Sequence, residues 1–225
     1  MTPLSNNTAQ PTLLGTSSER MSIAAFTAAV ASASPTPAGG GVAAHAGSLA
    51  GALAQMVAGL TLGRKKYATV EAEMRRVAEK AGEYSAALAT LVDQDVAAYS
   101  AVTNAYKLPK ATDVEIADRA VAITSALLGA TSVPLDIARL CVDVCDLAAT
   151  AAIKGNTNAV SDAGVAALLA EAACRAAAYS VRINVASLAD RSLGASQAAE
   201  AADLARRAST FATIATDQVE RAIGG

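Results

Sequence analysis

The chain has 225 residues and a formal net charge of −2, and 53% of its residues are hydrophobic while only 3% are aromatic. With this weak negative net charge, the chain lacks the excess of positive charge that attracts a phosphate backbone, which argues against a nucleic-acid-binding protein. A core of Ala, Leu, Val and Ile favours helices, because alanine is the best helix former and lets helix backbones approach closely. We therefore predict an all-α fold, a single-domain bundle of long helices, over residues 17–225. The polar residues 1–16 lack the features of a signal peptide and are predicted to be a flexible tail.

Three helices are predicted in the first half of the chain. The sequence Thr16-Ser17-Ser18-Glu19 has the form of a capping box and predicts the start of a first helix, which ends at the prolines of residues 34–37. A second helix is predicted from about Gly41 to Leu62, and a third from about Thr69 to Tyr106. Small residues recur every three or four positions in the second helix and predict a face for close helix contact: Ala43, Gly47, Gly51 and Ala54.

Three more helices are predicted in the second half. Thr112-Asp113-Val114-Glu115 is another capping box, and it opens a helix that Pro134 is expected to break or kink before its end near Ile153. After a turn at residues 154–156, a long helix runs to about Ser187, and a last one covers about 196–223. No segment alternates with the period of a strand, and no linker divides the chain.

Residues 42–62 are about long enough to cross a bilayer. They contain His45, Ser48 and Gln55, and much of the remainder is Ala and Gly, which contribute little transfer free energy. A buried core helix is therefore predicted, and no membrane partner. The alternative, a membrane-anchored helical protein, is tested by recovery of the protein without detergent.

The three cysteines, Cys141, Cys145 and Cys174, are too few for a disulfide framework and indicate a reduced, cytoplasmic protein. Cys141 and Cys145 share one helix face, but a single histidine leaves no usual set of zinc partners, so no metal site is predicted. That histidine, His45, lies in an apolar helix and is interpreted as a packed or capping residue.

An acidic residue interrupts an apolar stripe on the third helix. The stripe steps by three or four residues and consists of Leu88, Val92, Asp95, Tyr99, Val102 and Tyr106. Burial of a carboxylate raises its pKa toward the range useful for proton transfer, so Asp95 is a candidate general acid or base. The alternative is a buried structural aspartate bonded to a neighbouring Tyr or Arg.

Two further stretches could meet an anion. Gly39, Gly40 and Gly41 precede a helix and would present free amides at its positive end, and the alternative is a tight turn with close helix packing. Arg64, Lys65 and Lys66 form the one basic triplet of the sequence, and the alternative is a solvated helix end.

Five segments together resemble a known family. They are "SPTPAGGGVAAHAG", "LTLGRKKY", "LVDQDVAAYSAVTNAYKLPK", "GNTNAVSDAG" and "SVRINVASLAD". In this order they are similar to the cyclodeaminase domain of formiminotransferase-cyclodeaminase and to its stand-alone relatives, which include bacterial methenyltetrahydrofolate cyclohydrolases. The resemblance covers about residues 20–191.

The resemblance implies a helical, homodimeric enzyme of folate one-carbon metabolism that takes a tetrahydrofolate derivative as substrate and needs no cofactor. The leading expectation is the cyclodeaminase reaction, from 5-formiminotetrahydrofolate to 5,10-methenyltetrahydrofolate and ammonia, and the alternative is the cyclohydrolase reaction on the same fold. A helical interaction protein without activity is the alternative of another class. The family's catalytic aspartate corresponds to Asp95. The residues implied in substrate binding are Gly39, Gly40, Gly41, Arg64, Lys65, Lys66, Tyr99, Asn156, Asp162 and Asn184.

The chain departs from the family pattern at three positions, where Ala38, Gly59 and Ser180 replace a glycine and two asparagines. Intact Asp95 argues against a loss of activity. The basic triplet has a plausible partner in the polyanionic glutamate tail of folate.

Overall fold

The computed structural model describes residues 17–18 and 21–224, and all regular structure in these residues is helical, without a strand. This confirms the all-α prediction. Short 3₁₀ turns at Lys65–Val70, Thr157–Ala159 and Arg191–Gly194 precede three of the helices. The α-helices of the described residues are α1 Ile23–Ala31, α2 Gly39–Gly59, α3 Glu71–Tyr106, α4 Asp113–Lys154, α5 Val160–Ala186 and α6 Ala195–Gly224.

The start of α4 is confirmed and that of α1 is corrected. The Thr112 hydroxyl accepts from the Glu115 amide at 3.2 Å, and the Glu115 carboxylate accepts from the Thr112 amide at 3.1 Å. Helix α1 begins at Ile23, after the position expected from the first capping box, because Ser22 caps it by accepting from the Ala25 amide. Thr16 and Glu19 of that capping box, and the tail of residues 1–16, lie outside the described residues.

The expectation that Pro134 breaks α4 is wrong, since α4 is one helix of 42 residues with the proline inside it, while the expected kink stays a prediction. A proline has no amide hydrogen, so the carbonyl four residues earlier, that of Ala130, loses its partner within the helix. The side-chain amide of Asn184, on α5, donates to this carbonyl at 2.7 Å. A neighbouring helix thus supplies the hydrogen bond that the proline removes.

The core consists mainly of alanine, and α2 is packed against α3, α4 and α5. The four small residues predicted to make close helix contacts on α2 are all buried. At Gly47 a Cβ atom would lie only 2.7 Å from the Cys141 sulfur on α4, so the approach of these helices requires glycine there. Helices α4 and α5 are antiparallel, with the Cys145 and Cys174 thiols donating to the Ala167 and Ala138 carbonyls across the contact.

Three helical segments are long and apolar enough to cross a membrane by length and composition: Gly39–Gly59, Asp113–Lys154 and Thr157–Ala186. The first, which corresponds to the predicted core helix, has half of its apolar window buried inside the bundle.

Candidate functional site

Asp95 lies on α3 directly beside the first turn of α2. Its carboxylate accepts a hydrogen bond from the Gly41 amide at 2.9 Å. Ala38, the residue that precedes α2, makes no side-chain capping bond, so the carboxylate from α3 takes the place of a cap. The positive end of α2, predicted to receive an anion, thus already contacts an anionic group of the same chain.

Gly40 makes this contact possible. A Cβ atom at Gly40 would overlap the Asp95 carboxylate and lie 2.6 Å from its Cγ atom, whereas a Cβ atom at Gly39 would meet nothing within 4 Å. The absence of a side chain at Gly40 therefore leaves the space that the Asp95 carboxylate occupies. The contact at Gly40 is the close helix packing of the alternative explanation, and anion or substrate binding by the three glycines stays a prediction.

Burial raises the pKa of Asp95 above its ordinary value, and the hydrogen bond from the Gly41 amide acts in the opposite direction. The Asp95 side chain is half-buried. The hydrogen bond comes from a backbone amide rather than from the Tyr or Arg of the structural alternative. A raised pKa makes this carboxyl group a candidate for both accepting and donating a proton.

The apolar stripe around Asp95 is buried over only half of its length. Leu88 and Val92 are buried, whereas Tyr99 and Tyr106 are 44% and 46% exposed. The prediction of a continuous inward stripe is wrong because α2 begins beside Asp95, while α3 continues to Tyr106, about 16 Å further. Tyr99, one turn after Asp95, therefore presents part of its ring to solvent next to the carboxyl group.

A second group of predicted site residues lies at the opposite end of α2. Lys65 and Lys66 are exposed, and the Lys66 ammonium donates to the Thr157 hydroxyl at 3.3 Å and lies 5.2 Å from the Tyr67 ring centroid. The Tyr67 oxygen accepts from the Thr157 amide at 3.0 Å and contacts the Thr157 hydroxyl at 3.2 Å. We call Lys65, Lys66, Tyr67 and Thr157 the Tyr67 cluster.

The hydrogen bonds from the Thr157 hydroxyl and amide lower the pKa of Tyr67 to about 8, with the Lys66 ammonium adding a smaller effect in the same direction. Sequence reasoning missed Tyr67 and Thr157 as site residues. The signal that could have found them is their place inside two of the quoted motifs, "LTLGRKKY" and "GNTNAVSDAG". The contact that joins these motifs spans 90 residues and is visible only in the fold.

Several predicted binding residues have structural contacts of their own. Asn156 is buried, and its side chain donates to the Leu60 carbonyl at 3.0 Å and accepts from the Asn158 amide at 3.1 Å. The Asn184 amide is engaged with Ala130, as described above. Asp162 is half-buried in the first turn of α5, and Arg64 is exposed just before the 3₁₀ turn at Lys65. Substrate contacts of these four residues remain predictions.

His45 is half-buried on α2 and packs against the Phe26 ring, with 4.8 Å between ring centroids. This agrees with its interpretation as a packed histidine. Within residues 17–18 and 21–224, no three His, Cys, Asp or Glu side chains form a group that could hold a metal ion.

The comparisons with known proteins agree on one family. Residues 22–203 match the family model described as formiminotransferase-cyclodeaminase. The chain is 48% identical over 169 residues to a methenyltetrahydrofolate cyclohydrolase of Methylorubrum extorquens. This match covers 75% of the present chain and 81% of that relative. It is 34% identical over 195 residues to a formimidoyltransferase-cyclodeaminase of Sus scrofa, covering 87% of this chain and 36% of that longer protein. The crystal structure of a formiminotetrahydrofolate cyclodeaminase from Thermotoga maritima superimposes with a TM-score of 0.82 at 31% identity, covering 91% of this chain and 98% of that one.

Proposed function

Since the chain belongs to the formiminotransferase-cyclodeaminase family, and is an enzyme of folate chemistry, we propose that it hydrolyses the methenyl bridge of 5,10-methenyltetrahydrofolate. The relative named a cyclohydrolase is 48% identical and covers most of both chains. Relatives named cyclodeaminases are 31% to 36% identical over the matched regions. The cyclodeaminase reaction, which the sequence motifs favoured first, is therefore the second candidate.

The observation that supports either reaction is the Asp95 carboxyl, half-buried with a raised pKa and oriented by the Gly41 amide. In the proposed hydrolysis, water adds to the bridging carbon, and the Asp95 carboxylate accepts a proton from that water. The tetrahedral carbon then opens one of its two C–N bonds as its hydroxyl group loses its proton to solvent and becomes the formyl carbonyl, and the proton held by Asp95 is returned to the departing nitrogen. An ionised Asp95 also stabilises the cationic methenyl bridge before attack.

The same carboxyl group can perform the deamination. There N10 attacks the formimino carbon and its proton passes to the former imino nitrogen, and protonated Asp95 then donates the further proton with which this nitrogen departs as ammonia, leaving the methenyl cation. Both reactions pass through a tetrahedral carbon bonded to N5 and N10. The two candidate reactions therefore differ in the group that adds to this carbon, water or N10, and in the group that leaves it, a folate nitrogen or ammonia. The position of the carboxyl group is the same in both.

We further propose a folate-only active site without a cofactor, and a homodimer as the working assembly. The decisive experiment is a spectroscopic assay of the purified protein with 5,10-methenyltetrahydrofolate and 5-formiminotetrahydrofolate, run side by side. Enzyme-dependent loss of the methenyl absorbance supports hydrolysis, and its enzyme-dependent appearance from the formimino substrate supports deamination. Inactivity toward both, with no reduced folate bound, would contradict the proposal.

A further inference from the structure

A groove between α5 and α6 has no part in the proposed reaction. It consists of two adjoining cavities of about 660 Å³ and about 290 Å³, which share the side chains of Tyr179, Arg182 and Ala198. Arg191 also lines the larger cavity, and Arg175 lines the smaller one. No residue of α2 or α3 lines either cavity. We call the two cavities together the α5/α6 groove, and their volumes are in the range of sites for small organic ligands.

Part of the lining of the α5/α6 groove is a surface of alanine side chains. Helix α5 contributes Ala178, and α6 contributes Ala198, Ala202 and Ala205. The three residues of α6 are spaced by four and three positions, so they lie on one face of that helix. Because an alanine side chain ends at its Cβ atom, the space between the two helices stays open and its lining is apolar.

Three arginines border the same groove. Arg175, Tyr179 and Arg182 are spaced by four and three residues on α5 and therefore share one face of the helix. Arg175 and Arg182 are about 10 Å apart along the helix axis. Arg191 comes from the 3₁₀ turn between α5 and α6. Positive charge is thus concentrated at this groove, although the whole chain has a net charge of −2.

Two of these arginines form no ion pair within residues 17–18 and 21–224. Arg175 pairs with Glu171 at 3.2 Å, whereas neither Arg182 nor Arg191 lies within ion-pair distance of a carboxylate there. Asp190, which precedes Arg191 in the chain, caps the 3₁₀ turn with its carboxylate. The guanidinium groups of Arg182 and Arg191 therefore keep their donors for an anion from outside the described chain.

An exposed aromatic ring lies between two of the arginines. Tyr179 is 61% exposed and lines both cavities. Aromatic side chains stack favourably on other planar rings and bury a large apolar area when they do so. The α5/α6 groove therefore combines an aromatic surface, an apolar lining and adjacent positive charge.

This combination favours a nucleotide over simpler ligands. A nucleotide joins a planar base to phosphate groups, and arginine forks bind phosphate oxygens in pairs. An inorganic phosphate would leave the Tyr179 ring and the alanine surface uncovered. An uncharged aromatic ligand would desolvate guanidinium groups without giving them a partner, which costs free energy.

We propose that the α5/α6 groove binds a nucleoside polyphosphate, with its base stacked on Tyr179 beside the alanine surface and its phosphates held by Arg182 and Arg191. This site goes beyond the proposed folate reaction and does not depend on it. All of its residues belong to α5, α6 and the turn between them, whereas Asp95 is held between α2 and α3.

Calorimetric titration of the purified protein with adenosine or guanosine triphosphate tests the site without any turnover. We expect binding of at least one of the two nucleotides, at one site per chain, with an affinity that falls as salt is added because exposed ion pairs are screened. Inorganic tripolyphosphate, which has the phosphates but no ring, should bind at least about tenfold more weakly. No binding of either nucleotide at low salt, or equal affinity for tripolyphosphate, would overturn the proposal.

Substitutions in the groove locate the binding. Arg182→Gln and Tyr179→Ala should each weaken nucleotide binding by about tenfold or more, through the loss of a charged fork and of the stacking surface. Arg206→Gln on α6 is the matched control, since the Arg206 side chain is 72% exposed, pairs with Asp203 and lies outside the groove lining. All three positions are exposed, so circular dichroism should show wild-type helical content. Equal losses in Arg182→Gln and Arg206→Gln would mean attraction by charge alone and would contradict a built site.

Two further readouts separate the groove from a folate site and from a subunit contact. A saturating concentration of the stable reduced folate 5-formyltetrahydrofolate should leave the nucleotide affinity unchanged, and displacement of the nucleotide would assign the groove to the folate site instead. Arg182→Gln should sediment like the wild type, and dissociated subunits would assign the groove to a contact between copies. Because the titration needs no catalysis, it decides the proposal even where the folate assay fails.

Discussion

At the scale of single residues, Asp95 is subject to two opposing influences. Burial disfavours its ionised form, while the Gly41 amide and the positive end of α2 favour it. A fully exposed aspartate would stay ionised at neutral pH, and a fully buried one would stay protonated. The half-buried position between these extremes gives a carboxyl group that can exchange a proton with a bound substrate.

Asp95→Asn should lower kcat by about 10²–10⁴ while the protein keeps its helical content, because the amide has the size of the carboxyl group but transfers no proton. Steady-state kinetics and far-ultraviolet circular dichroism measure the two effects. Asp93→Asn is the matched control, since Asp93 lies two residues away and accepts from the Ser18 amide instead. Near wild-type turnover of Asp95→Asn would remove Asp95 from the mechanism.

The raised pKa of Asp95 also predicts how stability depends on pH. A carboxyl group with a higher pKa in the folded state than in the unfolded state stabilises the fold at low pH, and that contribution is lost as the pH rises through the folded value. Asp95→Asn has no such dependence. Its Tm should therefore exceed that of the wild type at pH 8, and the difference should shrink toward pH 4. Thermal unfolding of both proteins across this range measures it, and a difference that grows on acidification would contradict the assignment.

Gly40→Ala should lower kcat by about tenfold or more and destabilise the protein by about 0.5–2 kcal/mol, because the new methyl group displaces the Asp95 carboxylate that takes the place of a cap on α2. Gly129→Ala on α4 is the matched control. A Cβ atom there meets nothing within 4 Å, so turnover should be unchanged and stability should rise slightly with the better helix former. Equal activity of the two variants would mean that Asp95 does not need its present position.

At the scale of elements, α4 shows how one helix compensates for a defect in another. A proline in the interior of a helix ordinarily costs about 3 kcal/mol or more. Here the Ala130 carbonyl that Pro134 leaves free accepts from the Asn184 side chain on α5, at 2.7 Å. The contact also fixes the register of α5 against α4, since a slip of one residue would remove the donor.

Asn184→Ala should destabilise the protein by about 1–3 kcal/mol, the cost of leaving a buried carbonyl without a partner. In a Pro134→Ala background the helix regains its own amide donor at residue 134, so the same substitution should cost much less. Chemical denaturation of the wild type, both single variants and the double variant gives this coupling free energy. Equal costs in the two backgrounds would show that Asn184 stabilises the protein in another way.

The elements differ in how well the sequence predicts them. The all-α class and the Thr112–Glu115 capping box could be read from local patterns, and they are confirmed. The continuity of α4 could not, because the donor that replaces the missing amide lies 54 residues away. The buried length of the Asp95 stripe depends in the same way on where another helix begins.

At the scale of the whole molecule, the sequence motifs predicted candidate site residues but not where in the bundle each of them lies. Asp95 and the glycines before α2 belong together, as the motifs implied. Lys65, Lys66 and Asn156 lie at the other end of the same helix, and Tyr67 and Thr157 emerge there as new members. A list of motifs in chain order carries no information about which end of a bundle each one occupies.

The three thiols in the core give the molecule an internal reporter of its own opening. Cys141, Cys145 and Cys174 are buried, and burial raises the pKa of each, so a thiol reagent reaches them only when α4 separates from α2 and α5. All three should therefore react slowly, with one shared rate constant that follows the population of opened molecules. A bound folate should slow this labelling in proportion to its saturation, which would measure affinity without any turnover. Rapid labelling of one thiol in native buffer would instead reveal a local fluctuation confined to its own turn of helix.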